Sequence, residues 1–163
     1  MSSALKNPGP KAVVTTPSDR EIRIERILNA SRDRVWRACT EPAQLAQWWG
    51  RGNKLDVERY DFRPGGQWRF VEHSDHGVHG FGGSYREIRP PERLTLTFGW
   101  DGMPGHELVE TLVFEDLGDG RTRLIATMVF DSKADRDGML QSGMESGMNE
   151  SYAALDRLLE EQA

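Results

Sequence analysis

The segment DGMLQSGMESGMNESYAALDRLLE, residues 137–160, decides how the rest of the chain must fold. Leu140, Met144, Met148, Ser151, Tyr152, Leu155, Leu158 and Leu159 recur at steps of three and four, which places them on one stripe of a helix. Glu145, Asn149, Glu150, Asp156, Arg157, Glu160 and Glu161 fill the opposite side. The pattern is that of an amphipathic helix lying on an apolar surface, neither a free coil nor a membrane span. Gly138, Gly143 and Gly147 each cost roughly 1 kcal/mol against alanine inside a helix. They either bring the backbone close to its partner or leave room above it; the alternative is a helix that starts late, near Gly143 or Met144, after a loop. Met139, Met144 and Met148 fall in the same half, and methionines fill irregular gaps or line adaptable walls.

What the helix lies on is read from the preceding residues. Residues 1–18, with Pro8, Gly9, Pro10 and Pro17 among small polar residues, read as a flexible tail, and residues 19–163 as one domain. From Arg20, Ile22, Ile24, Leu28 and Ala30 alternate on one side of a first strand, with Arg26 on that same side. Ser31 is a plausible N-cap for a short helix with Val35, Trp36 and Cys39 on its apolar face. Pro42 opens a second short helix through Leu45, Trp48 and Trp49, stopped by Gly50. Trp48 and Trp49 are adjacent and cannot both face inward, so one belongs to the core and the other to a pocket mouth.

Strands follow at hairpin spacing. They run from Lys54 to Phe62, Gln67 to His73, Ser84 to Ile88, Arg93 to Trp100, Glu107 to Glu115 and Arg121 to Phe130. Arg63-Pro64-Gly65-Gly66 is a tight turn between the first two. Alternation places Trp68, Phe70 and Glu72 on one face, then Leu94, Leu96, Phe98 and Trp100, then Leu108, Glu110, Leu112 and Phe114. The expected architecture is α+β: a curved antiparallel sheet of about seven strands, two short helices after the first, and a long C-terminal helix on the concave face. Space left between sheet and helix would be a cavity.

Composition narrows the function classes. The chain has 163 residues, a net charge of −5 and scattered Lys and Arg, which does not suit nucleic acid. Cys39 is the only cysteine, so no internal disulfide forms. No apolar run approaches the length of a membrane span or a signal peptide, and a cytoplasmic protein without a membrane partner is expected. An exposed edge strand would allow a homodimer.

Several motifs carry a resemblance. Val35-Trp36, Trp48-Trp49-Gly50, the run from Asp61 to Trp68, the run from Ile88 to Leu94 and the segment from Gly147 to Leu159 occur in an order similar to that of the bacterial homologues of the activator of heat-shock protein 90 ATPase. That family belongs to the START-like, or SRPBCC, superfamily. The resemblance implies the helix-grip fold, whereas the superfamily's members include ligand carriers, cyclases, dehydratases and hydrolases. In many relatives a tryptophan follows the glycine matching Gly147; here Met148 stands there.

Candidate chemistry is sparse. His73, His76 and His79 are spaced three apart, but a hairpin turn points them in different directions, and no metal or other cofactor is expected. Glu110 is the candidate catalytic or ligand-contacting carboxylate, because a charge with inward parity must pair, reach a cavity or shift its pKa, and Arg26 or Glu72 would orient it. Trp49, Trp68, Phe70, Tyr85, Phe98, Trp100, Glu110 and Leu112, with Met144, Met148 and Tyr152 of the last helix, are expected to contact the ligand. A small apolar or aromatic ligand suits such a lining. A lyase, cyclase or hydrolase using Glu110 in the same cavity is the alternative, and a chaperone-associated module a third.

Overall fold

The computed structural model describes residues 12–162. Among these residues a single eight-stranded antiparallel sheet, in the order β1-β2-β8-β7-β6-β5-β4-β3, carries four helices. The strands are β1 (Val13–Thr15), β2 (Glu21–Leu28), β3 (Lys54–Tyr60), β4 (Gln67–Ser74), β5 (Gly77–Arg89), β6 (Arg93–Trp100), β7 (Leu108–Asp116) and β8 (Thr122–Val129). The helices are α1 (Arg32–Thr40), α2 (Pro42–Trp48), α3 (Lys133–Gln141) and α4 (Met144–Glu161).

The parity expected for β2 holds along its whole length, with Ile22, Ile24, Arg26 and Leu28 buried and their neighbours partly exposed. The short helices also follow from their local residues. Ser31 Oγ accepts the Arg34 amide at the start of α1, and Pro42 occupies the first turn of α2, where its missing N–H is no loss. Trp48 is buried and donates its indole N–H to the Ala38 carbonyl at 2.8 Å, locking α2 onto α1.

Four expectations are corrected. Val13–Thr15, placed by sequence in the tail, pairs with Arg23–Glu25 of β2 and adds an edge strand, so eight strands replace about seven; residues 1–11 lie outside the described residues. β5 begins at Gly77 instead of Ser84. Its glycines are sites of close approach: a Cβ on Gly83 would lie 2.0 Å from the Thr97 carbonyl oxygen, so β5 and β6 come together only because that position has no side chain. Thr97, which alternates away from the face of Leu96 and Phe98 expected to be inward, is nonetheless buried, and its hydroxyl accepts the Ser84 amide at 2.9 Å.

The fourth correction concerns the C-terminal segment. It is two helices, broken at Gly143 with φ +82°. Leu140 therefore leaves the stripe and is exposed, while Tyr152, Ala154, Leu155, Leu158 and Leu159 of α4 are buried against the sheet and the short helices. Gly147 supplies room: a Cβ there would press on Arg51 Cδ at 3.3 Å.

Candidate functional site

Between the concave face of the sheet and α4 lies a cavity of about 370 Å³. Strands β4, β5 and β6 supply its aromatic wall through Trp68, Phe70, Phe81, Tyr85 and Phe98. Trp49, the residue that ends α2, reaches over this wall with its ring centroid 5.1 Å from Phe70, 5.2 Å from Phe81, 6.2 Å from Trp68 and 6.4 Å from Phe98. The contacts with Phe70, Phe81 and Trp68 are near-perpendicular, packing the rings edge to face, and the one with Phe98 is tilted at 45°. Leu112 of β7 also lines the cavity, and Met144, Met148 and Tyr152 of α4 close the opposite side. Among the residues expected at the ligand, Trp100 is the one the fold removes. β6 ends there, the ring folds over its own turn so that a Cβ on Gly102 would lie 2.4 Å from Trp100 Cζ2, and the side chain is 39% exposed outside the cavity.

The charged groups divide differently from the expectation. Arg26 is buried but does not line the cavity; it forms an ion pair with Asp156 of α4 and stacks over the Tyr152 ring at 5.3 Å. Burial raises the Asp156 carboxyl even though Arg26 pulls it down. Glu72 does line the cavity, and one of its oxygens, Oε2, receives both Arg51 Nε at 3.2 Å and Asn53 Nδ2 at 2.9 Å. Neither Arg26 nor Glu72 orients Glu110, so that expectation is corrected: each is committed to another partner.

Glu110 is left alone. Its side chain is surrounded by protein yet retains partial exposure, because the space beside it is the cavity itself. It makes no hydrogen bond or ion pair among the described residues. Burial alone pushes its carboxyl up to about 7, against an ordinary 4.5. Cys39 of α1 and Tyr152 of α4 share the cavity and feel the same carboxylate. Burial first and Glu110 second push the Cys39 thiol up to about 12, and the Tyr152 hydroxyl is raised by the same two causes. Both remain neutral at neutral pH, so neither is an activated nucleophile.

Sequence reasoning missed Phe81 and Arg51. Phe81 sits among Gly80, Gly82 and Gly83, ahead of the strand expected from Ser84, although it shares parity with Tyr85 once β5 is extended. Arg51 has φ +64°, and its amide donates to Ser151 Oγ at 2.9 Å, so a loop residue with no periodicity becomes part of the cavity mouth. The three histidines of the β4–β5 region do not converge: His73 Nε2 lies 2.7 Å from Asp56, and the His79 ring packs 6.3 Å from Trp100.

An antiparallel sheet wrapped on a C-terminal helix, with a helix pair after its second strand, is accompanied by a match of residues 29–160 to the family described as Activator of Hsp90 ATPase homolog 1-like protein. The chain belongs to this family. Among solved structures similar to this member of the activator-homologue family are a Rhodobacter sphaeroides protein (26% identity, TM-score 0.84, covering 94% of this chain and 100% of that one) and an Arthrobacter aurescens protein (25% identity, TM-score 0.82, 91% of each chain). DynU16, a protein of the dynemicin biosynthetic locus, is 25% identical with a TM-score of 0.67; the match covers 88% of this chain and 48% of that one. No protein of curated function matches the sequence. These likenesses support the helix-grip fold and a ligand-binding module of this family. No helix among the described residues is long and apolar enough to cross a membrane.

Proposed function

We propose that this activator-homologue protein is a small-molecule binding protein, holding an apolar or aromatic ligand between its sheet and α4. The observation that carries this reading is the cavity lining: an aromatic wall with methionines opposite and few polar groups, in a volume of about 370 Å³. Pockets that bind small molecules have this character, with a large apolar surface for affinity and isolated polar groups for orientation. A relative encoded in a biosynthetic locus, DynU16, is in keeping with a role towards a small molecule. Native mass spectrometry of the protein purified from its own host, followed by denaturing release and identification of the compound, tests the reading. A stoichiometric apolar or aromatic compound supports it. A protein that arrives empty and takes up no apolar probe overturns it.

A second reading is favoured by Glu110. A carboxyl raised to about 7 with no protein partner is poised as a general base near neutral pH, since its conjugate acid and base are both populated there. In this reading the cavity belongs to a lyase, cyclase or hydrolase, and Glu110 takes a proton from the bound substrate or from a water beside it. Glu110→Gln then abolishes turnover while leaving binding largely intact; under simple binding there is no turnover to lose.

A further inference from the structure

The cavity's unpaired charge is one-sided, whereas the Trp49 indole N–H and the hydroxyls of Ser151 and Tyr152 are neutral donors. Glu110 offers two carboxyl oxygens without a protein donor, and Glu72, which receives both of its bonds on Oε2, leaves Oε1 unengaged. The indole donors of two tryptophans at the cavity are already spent: Trp48 donates to the Ala38 carbonyl and Trp68 to the Thr97 carbonyl at 3.2 Å. The one cation in the lining among the described residues, Arg51, is held by Glu72. With that pair neutralised, the remaining ionisable group of the lining that can carry charge near pH 7 is an acid, so the described residues leave the cavity neutral or negative. The same cavity is lined by Trp49, Phe70, Phe81 and Phe98, whose ring faces, unlike their edges, attract a cation.

We infer that the ligand carries a basic nitrogen: an amine on an apolar or aromatic body, its ammonium paired with Glu110 and its body against the aromatic wall. This inference rests on the binding reading above and makes it more specific. It follows that carboxylates, phosphates and other anions are excluded, because nothing free in the cavity compensates their charge. Binding is also linked to the protonation of Glu110. The groups facing it are Cys39 from α1 and Tyr152 from α4, both neutral at neutral pH; Glu72 from β4 is tied to Arg51, and Arg26 from β2 to Asp156. An ammonium ion favours the charged carboxylate, so amine affinity rises with pH until Glu110 is fully ionised, levels off, and falls once the amine itself loses its proton.

The test uses one apolar body with three head groups, naphthylethylamine, naphthylethanol and naphthylacetate, titrated by calorimetry and by the fluorescence of the cavity tryptophans, with the neutral dye Nile red as a probe of the cavity itself. At about pH 8 the amine is expected to bind about tenfold or more tightly than the alcohol, and the acetate more weakly than either. In Glu110→Gln the amine's advantage disappears while the alcohol still binds, and in the unaltered protein that advantage shrinks as the pH falls to about 5. An amine no tighter than the alcohol, an acetate that binds as well as the amine, or an amine preference that survives Glu110→Gln overturns the inference. Nile red bound without any amine preference overturns this inference alone. Failure of Nile red and of all three head groups to bind overturns the cavity reading together with it.

Discussion

Arg51 and Glu72 meet at the mouth of the cavity, guanidinium Nη2 to carboxylate Oε2 at 3.2 Å, and so tie the loop after α2 to the concave face of β4. The carboxylate is the buried member, at 5% exposed, and the guanidinium the wetter one, at 31%. The two ends of this contact therefore differ in what their loss does. Arg51→Ala leaves Glu72 with Asn53 as its remaining donor and is expected to cost about 1–3 kcal/mol of stability, the penalty of an undersatisfied buried polar group. Urea unfolding measures it. A variant within about 0.3 kcal/mol of the parent would show that the pair contributes little, as exposed pairs do.

Glu110 makes stability depend on pH in the direction opposite to that of a salt-bridged acid. Its folded pKa, about 7, lies above its ordinary value of 4.5, so between these values the folded chain binds the proton that the unfolded chain has released. Stability from this group is full below about 4.5 and is lost as the pH rises through about 7. Glu110→Gln removes the dependence. Relative to the parent, the variant should gain up to about 3 kcal/mol between about pH 4 and pH 8. Paired denaturant melts at the two pH values read the gain, and a difference that does not change with pH would contradict the shift.

Asp156→Ala is expected to be among the more damaging changes in α4. It leaves the Arg26 guanidinium buried without its carboxylate, while Arg26 Nε already has no partner. Removing one member of a buried pair costs about 3–5 kcal/mol. Because Arg26 lies outside the cavity lining, the surviving folded fraction should keep its ligand affinity. Thermal unfolding and a binding titration on the same sample separate the two effects.

Phe98 and Trp100 stand two residues apart on β6 and should behave differently. Phe98→Ala opens the aromatic wall and should weaken an apolar ligand by about 1–2 kcal/mol. Trp100→Ala, outside the cavity, should leave affinity unchanged within about 0.3 kcal/mol. Equal losses from the two would place Trp100 at the ligand after all.

Most of the fold was legible because burial leaves periodicity in the sequence. The alternation of Ile22, Ile24, Arg26 and Leu28, and that of Leu108, Glu110, Leu112 and Phe114, gave both the strands and the inward parity of two charged residues. Periodicity was silent about the ends of elements and about partners. Trp100 has the parity of Phe98 but sits where the strand stops, and packing on the following turn overrides parity there. Likewise Gly80, Gly82 and Gly83 carry no apolar signal, so the first half of β5 and Phe81 within it stayed hidden; only neighbouring strands show why those positions have no side chain. The partners of Arg26 and Glu72 come from α4 and from the loop after α2, far along the chain from either residue, and no spacing rule reaches that far.

The pairing of β2 with β8, in register from Glu21 with Val129 to Leu28 with Thr122, joins the first long strand to the last. During synthesis β2 must therefore wait, with the edge that meets β8 unpaired, until about a hundred further residues have been made. The hairpins from β3 to β7 can assemble in the meantime from local contacts, but the long loop closed by β2 and β8 puts completion of the sheet late and makes folding slow for a chain of this size. The cavity comes later still, since α4 is translated after β8 and supplies its last wall. A nascent or truncated chain ending before β8 leaves one edge of β2 without its hydrogen-bonding partner, and that unpaired edge is where such a chain is exposed to aggregation.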